Sequence, residues 1–420
     1  MSDDLGGWGG DEFVLAADRL DTPDVIETAD PGDMLRQVAS AAAQVRTALR
    51  SCLETDLSAL APDLRPRAIV VAGMGGSGLA GEILGAVAGL TSPVQVVTAQ
   101  AGRLPGWAGA ADMVIAVSSS GTTGATLAAA AEAVRRGCRL AAAGAKDSPL
   151  QHIAEQARAP FVPVALDGPV RSMLPRCMLW GLAVPLLVMA ERLGVVRIGP
   201  EAYELAANRL EEVSHQCRPA SESFVNPGKS LALDLVGTLP VVWGTSLLSG
   251  VAARRFASQL SENAKYPAMA GLLPEAAHNQ IVAFDGPFAP AASPPPESPH
   301  TPGAETPDDV ADLNDLPSSW DPDYDETRPG QLPGFTPLRL VLIADPEEDQ
   351  LVGAQRAAIT ELAAQRGIGL SELAMDGEQP LVRLAGVIQL ADYASVYLAI
   401  ASGIDPGQTA AITDLSARIE

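Results

Sequence analysis

The sequence predicts an α/β protein with two doubly wound parallel sheets, one in each half of the chain, related by a weak pseudo-symmetry. Short β-branched runs alternate with alanine-rich helical stretches between residues 67 and 150, and the same alternation returns after residue 231. Strands that alternate with helices predict a parallel sheet covered on both faces. A chain of 420 residues, 47% of them hydrophobic, is also long enough to build two cores.

The first half is predicted to contain strands and helices in near alternation, followed by two longer helices. The predicted elements are Arg67–Ala72, Leu79–Ala88, Val94–Thr98, Asp112–Val117, a helix from about Thr123 to Arg136, the strand Leu140–Ala143, and helices over 175–193 and about 200–217. We assign residues 1–220 to this first domain and its amino-terminal region.

The second half repeats the pattern over residues 221–420. Its predicted elements are the strand Leu239–Trp243, a helix through Gln259, the strand Pro337–Ile343, the helix Asp349–Gln365, the strand Gly369–Ala374 and the long helix Leu381–Ile400. Residues 285–337 interrupt it with 13 of the 34 prolines, 11 acidic residues and one arginine. Such a composition buries too little apolar surface to offset the entropy of ordering, so it predicts a flexible acidic insertion.

Charge and cysteine usage exclude several classes of protein. A net charge of −23 argues against binding nucleic acid or anionic lipid through bulk charge. The four cysteines are scattered, and no Cys/His spacing suggests a metal site. The amino-terminus lacks the regions of a signal peptide, and the most apolar run, Cys177–Ala190, is too short to span a bilayer. We therefore expect a soluble cytoplasmic protein.

Two loops rich in glycine and hydroxyl groups follow the first and third predicted strands. They are GMGGSG at Gly73–Gly78 and SSSGTTGAT at Ser118–Thr126. Hydroxyl groups and free N–H groups at a helix amino-terminus bind anions without net positive charge, and α/β proteins usually hold ligands at the carboxyl ends of their strands. The two loops predict a phosphate site, and the alternative is an ordinary Ser/Thr helix cap.

The first loop also matches the GxGxxG pattern of dinucleotide-binding folds. That fold needs an acidic residue about 20 positions later, at the end of the second strand, to hold a ribose hydroxyl. Here the strand ends in the neutral sequence Thr98-Ala99-Gln100. The sequence therefore disfavours an NAD-dependent dehydrogenase.

A carboxylate and an imidazole lie 16 residues apart in the second half. Glu262 stands in SENAKYPA, where a helix is predicted to end, and His278 stands in PEAAHN. Such a pair can move protons near neutral pH, as aldose–ketose isomerisation and sugar-ring opening require. From the residues alone, a solvated or capping carboxylate and a loop histidine remain an alternative.

Together these motifs resemble the sugar isomerase (SIS) domain family and, in detail, the bifunctional phosphoglucose/phosphomannose isomerases, which carry two SIS domains. GMGGSG followed by SSSGTTGAT is similar to their phosphate loops, although Thr122 and Ala125 replace a usual Asn and Glu. ENAK-x-PA followed by PE-x-x-HN is similar to their signature, spacing included. The resemblance implies isomerisation of glucose 6-phosphate or mannose 6-phosphate to fructose 6-phosphate through an enediolate, without a metal or organic cofactor.

The resemblance also implies roles for individual residues. The implied phosphate-binding residues are Gly76, Ser77, Ser118, Ser120 and Thr123. Glu262 would be the catalytic base, His278 would assist ring opening, and Arg176 would stabilise the enediolate oxygen. From chemistry alone, Arg176 could instead form a surface ion pair. The family forms homodimers with a shared active site, to which the counterpart of His278 comes from the partner, so a homodimer that binds a phosphorylated monosaccharide is expected.

One position departs from the family pattern. The family places a catalytic lysine in its last helix within I-x-x-L-K, whereas this chain reads Ile412-Thr413-Asp414-Leu415-Ser416. Ser416 cannot supply an ammonium group, and Arg418, two residues later, would face another side of the helix. Two hypotheses therefore stay open: a phosphosugar isomerase, or a catalytically weak or inactive phosphosugar-binding protein that senses a metabolite.

Overall fold

A computed structural model of the chain describes residues 10–61, 65–164, 173–290 and 336–419. Four helices precede the first sheet: α1 (Gly10–Asp21), α2 (Pro23–Ala29), α3 (Met34–Ala39) and α4 (Ala41–Glu54). The first sheet has five parallel strands in the order β2-β1-β3-β4-β5. They are β1 (Ala68–Ala72), β2 (Gln95–Ala99), β3 (Met113–Ser118), β4 (Arg139–Gly144) and β5 (Phe161–Pro163), joined by α5 (Gly76–Ala88), α6 (Gly124–Arg135) and α7 (Pro149–Gln156).

The second sheet has four parallel strands in the order β7-β6-β8-β9. Helices α8 (Leu179–Arg192), α9 (Pro200–Gln216) and α10 (Pro227–Leu235) precede it. The strands are β6 (Leu239–Gly244), β7 (Met269–Leu272), β8 (Leu338–Ala344) and β9 (Gly369–Ala374), and the later helices are α11 (Leu247–Gln259), α12 (Gln350–Gln365), α13 (Pro380–Ala401) and α14 (Ala410–Ile419). A π-turn over Leu260–Ala264 continues α11.

The strand orders confirm the predicted fold class and its pseudo-symmetry. Strands β6, β7, β8 and β9 occupy the places in the second sheet that β1, β2, β3 and β4 occupy in the first. Strands β1 and β3 are buried along their whole length, as expected for apolar runs covered on both faces of a parallel sheet. Both sheets therefore present the carboxyl ends of two adjacent central strands at one edge, where ligands bind in such folds.

The two sheets share one apolar cluster, which includes Val71 of β1, Val184 of α8 and Val242 of β6. Helix α13 lies at its centre and is buried from Leu384 through Ala401 except for Leu390. Although α13 is long and apolar enough to cross a membrane, 94% of its most apolar window is buried inside the protein. We therefore describe it as the core helix that joins the halves.

Residues 291–335, which form most of the acidic insertion, lie outside the described residues. The predicted flexibility of this segment therefore stays a prediction. Its two ends are described, and they meet: the Leu338 amide donates to the Phe288 carbonyl at 2.7 Å. The insertion therefore leaves and re-enters the second sheet at one place, beside the start of β8.

Candidate functional site

The loop after β3 is organised by hydroxyl groups that bond to one another. Ser118 Oγ lies 3.0 Å from Thr123 Oγ1 and accepts from the Gly121 amide at 3.0 Å. Ser120 Oγ accepts from the Thr122 amide and hydroxyl at 3.2 and 2.9 Å. Gly121 has φ of +67°, and a Cβ there would come within 2.2 Å of Ser148, so this tight turn requires glycine.

The helices that follow β1 and β3 begin without side-chain caps. Gly75 precedes α5 and Thr123 precedes α6, and neither makes a capping hydrogen bond through its side chain. The Ser77 N–H of α5 donates to the Met74 carbonyl at 3.0 Å, and no side chain caps the other first-turn N–H groups of the two helices, which lie at the positive ends of the helix dipoles. This arrangement suits a phosphate and does not match the ordinary cap that was the alternative for these loops.

Contacts connect the glycine loop to the turn that carries Glu262. A Cβ on Gly76 would lie 3.6 Å from the Pro175 carbonyl oxygen, so α5 starts beside the Pro175–Cys177 turn. The Arg176 guanidinium donates from Nε to Asn263 Oδ1 at 2.8 Å. Asn263 adjoins Glu262 in the π-turn. The glycine loop at the carboxyl end of β1 and the Glu262 turn are thus joined through Arg176.

Arg176 is buried, with 7% of its surface exposed. Its Nη2 donates to the carbonyls of Pro406 and Gly407 at 2.7 and 3.3 Å, and among the described residues no carboxylate pairs with it. Burial lowers the pKa of the Arg176 guanidinium, and the charge of Glu262 acts against that shift. The surface ion pair considered for Arg176 is therefore wrong.

A second arginine, Arg255, holds the backbone of Arg176 in place. Arg255 donates from Nη2 to the Arg176 carbonyl at 2.7 Å and forms two hydrogen bonds with the Asp392 carboxylate at 2.8 and 2.9 Å. Asn263 is fixed in turn by Ser395 Oγ, 2.9 Å from its Nδ2. The sequence gives no signal for these roles of Arg255, Asp392 and Asn263, because their contacts join segments more than 75 residues apart.

Glu262 lies half-buried in the π-turn, and none of the hydrogen bonds found in the described part of the chain engages its carboxylate. Its charge acts on Arg176, Arg255 and Lys265. A carboxylate with free oxygens, set among three cations, remains available to a substrate and caps no helix. π-Turns of this kind occur frequently at functional sites.

His278 is exposed after the short Glu275–Ala277 turn, and none of the hydrogen bonds or ion pairs found in the described part of the chain joins its ring to Glu262 or to the hydroxyl loop. The turn lies on a groove of about 980 Å³ between the edge strands β2 and β7, beside α5 and α11. The structure of one chain thus links Arg176 and the Glu262 turn to the glycine loop after β1, whereas none of the hydrogen bonds or ion pairs found among the described residues links His278 to them.

The remaining predicted positions lie on α14 and after β2. The Ser416 side chain lies outside the described residues, and Arg418 is exposed. The Gln100 amide lies against Gly78, 2.7 Å from where a Cβ would stand. A neutral amide therefore occupies the place next to the glycine loop, consistent with the prediction against a dinucleotide site.

Comparisons with known proteins give a consistent result. A family model described as the bacterial phospho-glucose isomerase C-terminal SIS domain matches residues 224–419. The bifunctional phosphoglucose/phosphomannose isomerase of Caldicellulosiruptor bescii is 25% identical over 340 residues, which cover 80% of this chain and 85% of that protein. The protein of the same name from Aquifex aeolicus is 28% identical over 233 residues, 54% of this chain and 66% of that protein.

Solved structures show the same fold. The crystal structure of a hypothetical protein from Thermus thermophilus superposes with a TM-score of 0.63 at 16% identity, covering 97% of this chain and 94% of that one. At 16% identity, this similarity supports the two-sheet architecture only and not a particular function.

Proposed function

Because the chain belongs to the family of bifunctional phosphoglucose/phosphomannose isomerases with two SIS domains, as a divergent member, we propose that it is an aldose–ketose isomerase. Its substrates would be glucose 6-phosphate and mannose 6-phosphate, and its product fructose 6-phosphate. The reaction moves a proton between C2 and C1 through an enediolate, and it needs no metal or organic cofactor.

The loops of the first sheet would hold the phosphate. The groups proposed for this role are Gly76, Ser77, Ser118, Ser120 and Thr123, with the uncapped amino-termini of α5 and α6. This local arrangement of N–H and hydroxyl groups binds a dianion even though the whole chain carries a charge of −23. With the phosphate fixed, the sugar would extend towards Arg176 and the Glu262 turn.

Glu262 would take the C2 proton and return it to C1. Arg176 would stabilise the negative oxygen of the enediolate, and its burial strengthens that interaction because little water screens it. The bonds from Arg176 to Asn263 and from Arg255 to the Arg176 carbonyl hold the guanidinium in place before the reaction starts. Preorganisation of this kind is the largest single contribution in many enzymes.

The observation that carries this proposal is the 2.8 Å bond from Arg176 Nε to Asn263. It joins the turn of the proposed base to a segment that touches the glycine loop. Without that link, the phosphate loops and Glu262 would be two unrelated features of two sheets.

A coupled assay of fructose 6-phosphate formation from each sugar phosphate tests the proposal. We expect turnover by the wild-type protein and a loss of at least about a hundredfold in kcat for Glu262→Gln, because the amide cannot accept the proton. The matched control is Glu361→Gln on α12, which neutralises a carboxylate outside the site. Thermal stabilisation by glucose 6-phosphate without turnover above the Glu262→Gln level would instead support a phosphosugar-sensing protein.

We further propose a homodimer in which His278 of each chain assists ring opening in the site of the other, since His278 is exposed and forms no hydrogen bond with Glu262 among the described residues. Coexpression of Glu262→Gln and His278→Ala chains tests this. If the site is shared, half of the dimers are hybrids with one intact site, so about one quarter of wild-type activity returns. No recovery from the mixture would place both residues of each site in a single chain.

The four cysteines are free and buried, which is consistent with a reducing compartment. Burial raises the pKa of Cys177, the neighbour of Arg176, to about 12, so its thiol stays protonated and is not a nucleophile near neutral pH. We therefore place the protein in the cytoplasm and assign no covalent step to these cysteines.

A further inference from the structure

We propose that Lys265 is a positioning residue of the isomerase site, which binds the Glu262 turn to the loop before the last helix and keeps a positive charge beside the Glu262 carboxylate. This inference rests on the proposed function and deepens it.

The Lys265 ammonium bridges two segments that are far apart in sequence. Its Nζ donates to the carbonyl oxygens of Glu262 and Asn263 at 3.0 and 3.1 Å and to that of Asp405 at 3.2 Å. These bonds use all three donors of an ammonium group. Arg176 donates to Pro406, the next residue of the same loop, at 2.7 Å. Two cations therefore hold this loop against the turn that carries the proposed base.

The backbone of Lys265 provides an independent argument. It has φ of +60°, in the left-handed region, and its N–H donates to the Leu260 carbonyl to close the π-turn. Glycine or asparagine is usual at such a position, and another residue incurs strain of about 1 kcal/mol or more. Because glycine would fit this backbone better, the presence of lysine indicates that its side chain contributes something that glycine cannot.

Charged groups around Lys265 explain what the ammonium contributes. Glu262 and Asp405 attract it, whereas Arg176 repels it. The Lys265 side chain is exposed, and the partial desolvation of its ammonium against the three carbonyls, together with the charge of Arg176, lowers the pKa of Lys265 below its ordinary value of 10.5. Its position is set by bonds to backbone oxygens, so the charge stays in place while Glu262 changes from anion to neutral acid during proton transfer.

Substitutions that separate the effect of the left-handed backbone conformation from that of the ammonium charge test the proposal. Lys265→Gly relieves the left-handed strain and removes the charge. We expect kcat to fall about tenfold or more with KM changed less than about twofold, because the proposed effect is on the base and not on phosphate binding. Lys265→Arg restores the charge and should recover most of the activity. The control is Arg366→Met, which removes a half-buried cation that pairs with Asp285 and forms no hydrogen bond with the Glu262 turn among the described residues.

The pH profile distinguishes this role from a purely structural one. Lys265 loses its proton as pH rises through its lowered pKa, so wild-type kcat should decline at a lower pH than an ordinary lysine would give. Arginine stays charged at that pH, and in Lys265→Arg the alkaline decline should move upward. Melting temperatures of all variants, measured in parallel, report whether they fold.

Two results would overturn the role of Lys265: kcat of Lys265→Gly within twofold of wild type, or an alkaline decline that does not move in Lys265→Arg. Wild-type protein with no turnover above Glu262→Gln would instead overturn the proposed function itself, and Lys265 would lose its role with it. The first failure leaves an active isomerase and the second does not, so the two are distinguishable.

Discussion

The helices that follow equivalent strands of the two sheets begin in different ways. After β1 and β3, helices α5 and α6 start without a side-chain cap. After β6 and β8, both helices are capped: Ser246 and Ser249 form a capping box on α11, and Asp349 accepts from the Leu351 amide on α12. Capping satisfies the N–H groups that an anion would otherwise bind. The second sheet therefore uses the amino-termini of its helices for its own stability, whereas those of the first sheet lack side-chain caps, as the proposed phosphate site requires.

The hydroxyl groups at the strand ends also have different partners in the two sheets. In the second sheet Ser246 Oγ donates to Asp345 Oδ2 at 2.6 Å, and Arg383 Nε lies 3.2 Å from Asp345 Oδ1. In the first sheet the hydroxyls of Ser118 and Thr123 bond to each other. The second sheet thus supplies its own carboxylate and its own counter-charge at the place where the first would receive a phosphate. We infer that, of the two hydroxyl-lined strand ends, an external anion would bind at the first, where no carboxylate of the described residues occupies the hydroxyl groups.

The largest expected effect concerns the buried ion pair of the second sheet. Arg383→Met should lower the free energy of unfolding by about 3–5 kcal/mol, because it leaves Asp345 buried without its counter-charge. Urea unfolding measures this change. Arg366→Met, which breaks an exposed pair, is the control and should cost at most about 1 kcal/mol. A loss for Arg383→Met no larger than the control would mean that the second strand end is not a closed structural unit.

The next effect concerns ligand affinity in the first sheet. Ser118→Ala removes a hydroxyl that organises the loop through Thr123 and Gly121. We expect the Kd for glucose 6-phosphate to rise about tenfold or more, since charge-assisted bonds to the phosphate depend on this geometry. Titration calorimetry gives the Kd, and urea unfolding shows whether the fold is kept. An unchanged Kd in a folded variant would remove Ser118 from the proposed phosphate site.

The prediction of the fold from sequence succeeded where apolar runs are long. Strands β1, β3, β6 and β8 are buried runs with clear ends, and each was predicted within one or two residues. The short strands β5 and β7 were not predicted, because three or four residues at a sheet edge take their conformation from the neighbouring strand more than from their own sequence.

The candidate site was predictable to the extent that it consists of local motifs. The glycine and hydroxyl loops stand out because tight turns need particular residues, as Gly121 shows. The support of Arg176 by Arg255 and Asp392 was not predictable, since it depends on α11 and α13 meeting in the fold. The role proposed for His278 depends on a second chain, which a single sequence does not specify.

The smallest expected effect concerns Ser246, where we expect a loss of stability without a loss of affinity. Ser246 is the hydroxyl of the second sheet that caps α11 and donates to Asp345. Ser246→Ala should lower the free energy of unfolding by about 1–2 kcal/mol, the cost of a helix cap and of a bond to a charged group. It should leave the Kd for glucose 6-phosphate unchanged, because this hydroxyl already has an internal partner. A weaker affinity in Ser246→Ala at full stability would mean that both strand ends bind sugar phosphate, and the contrast between the two sheets would fail.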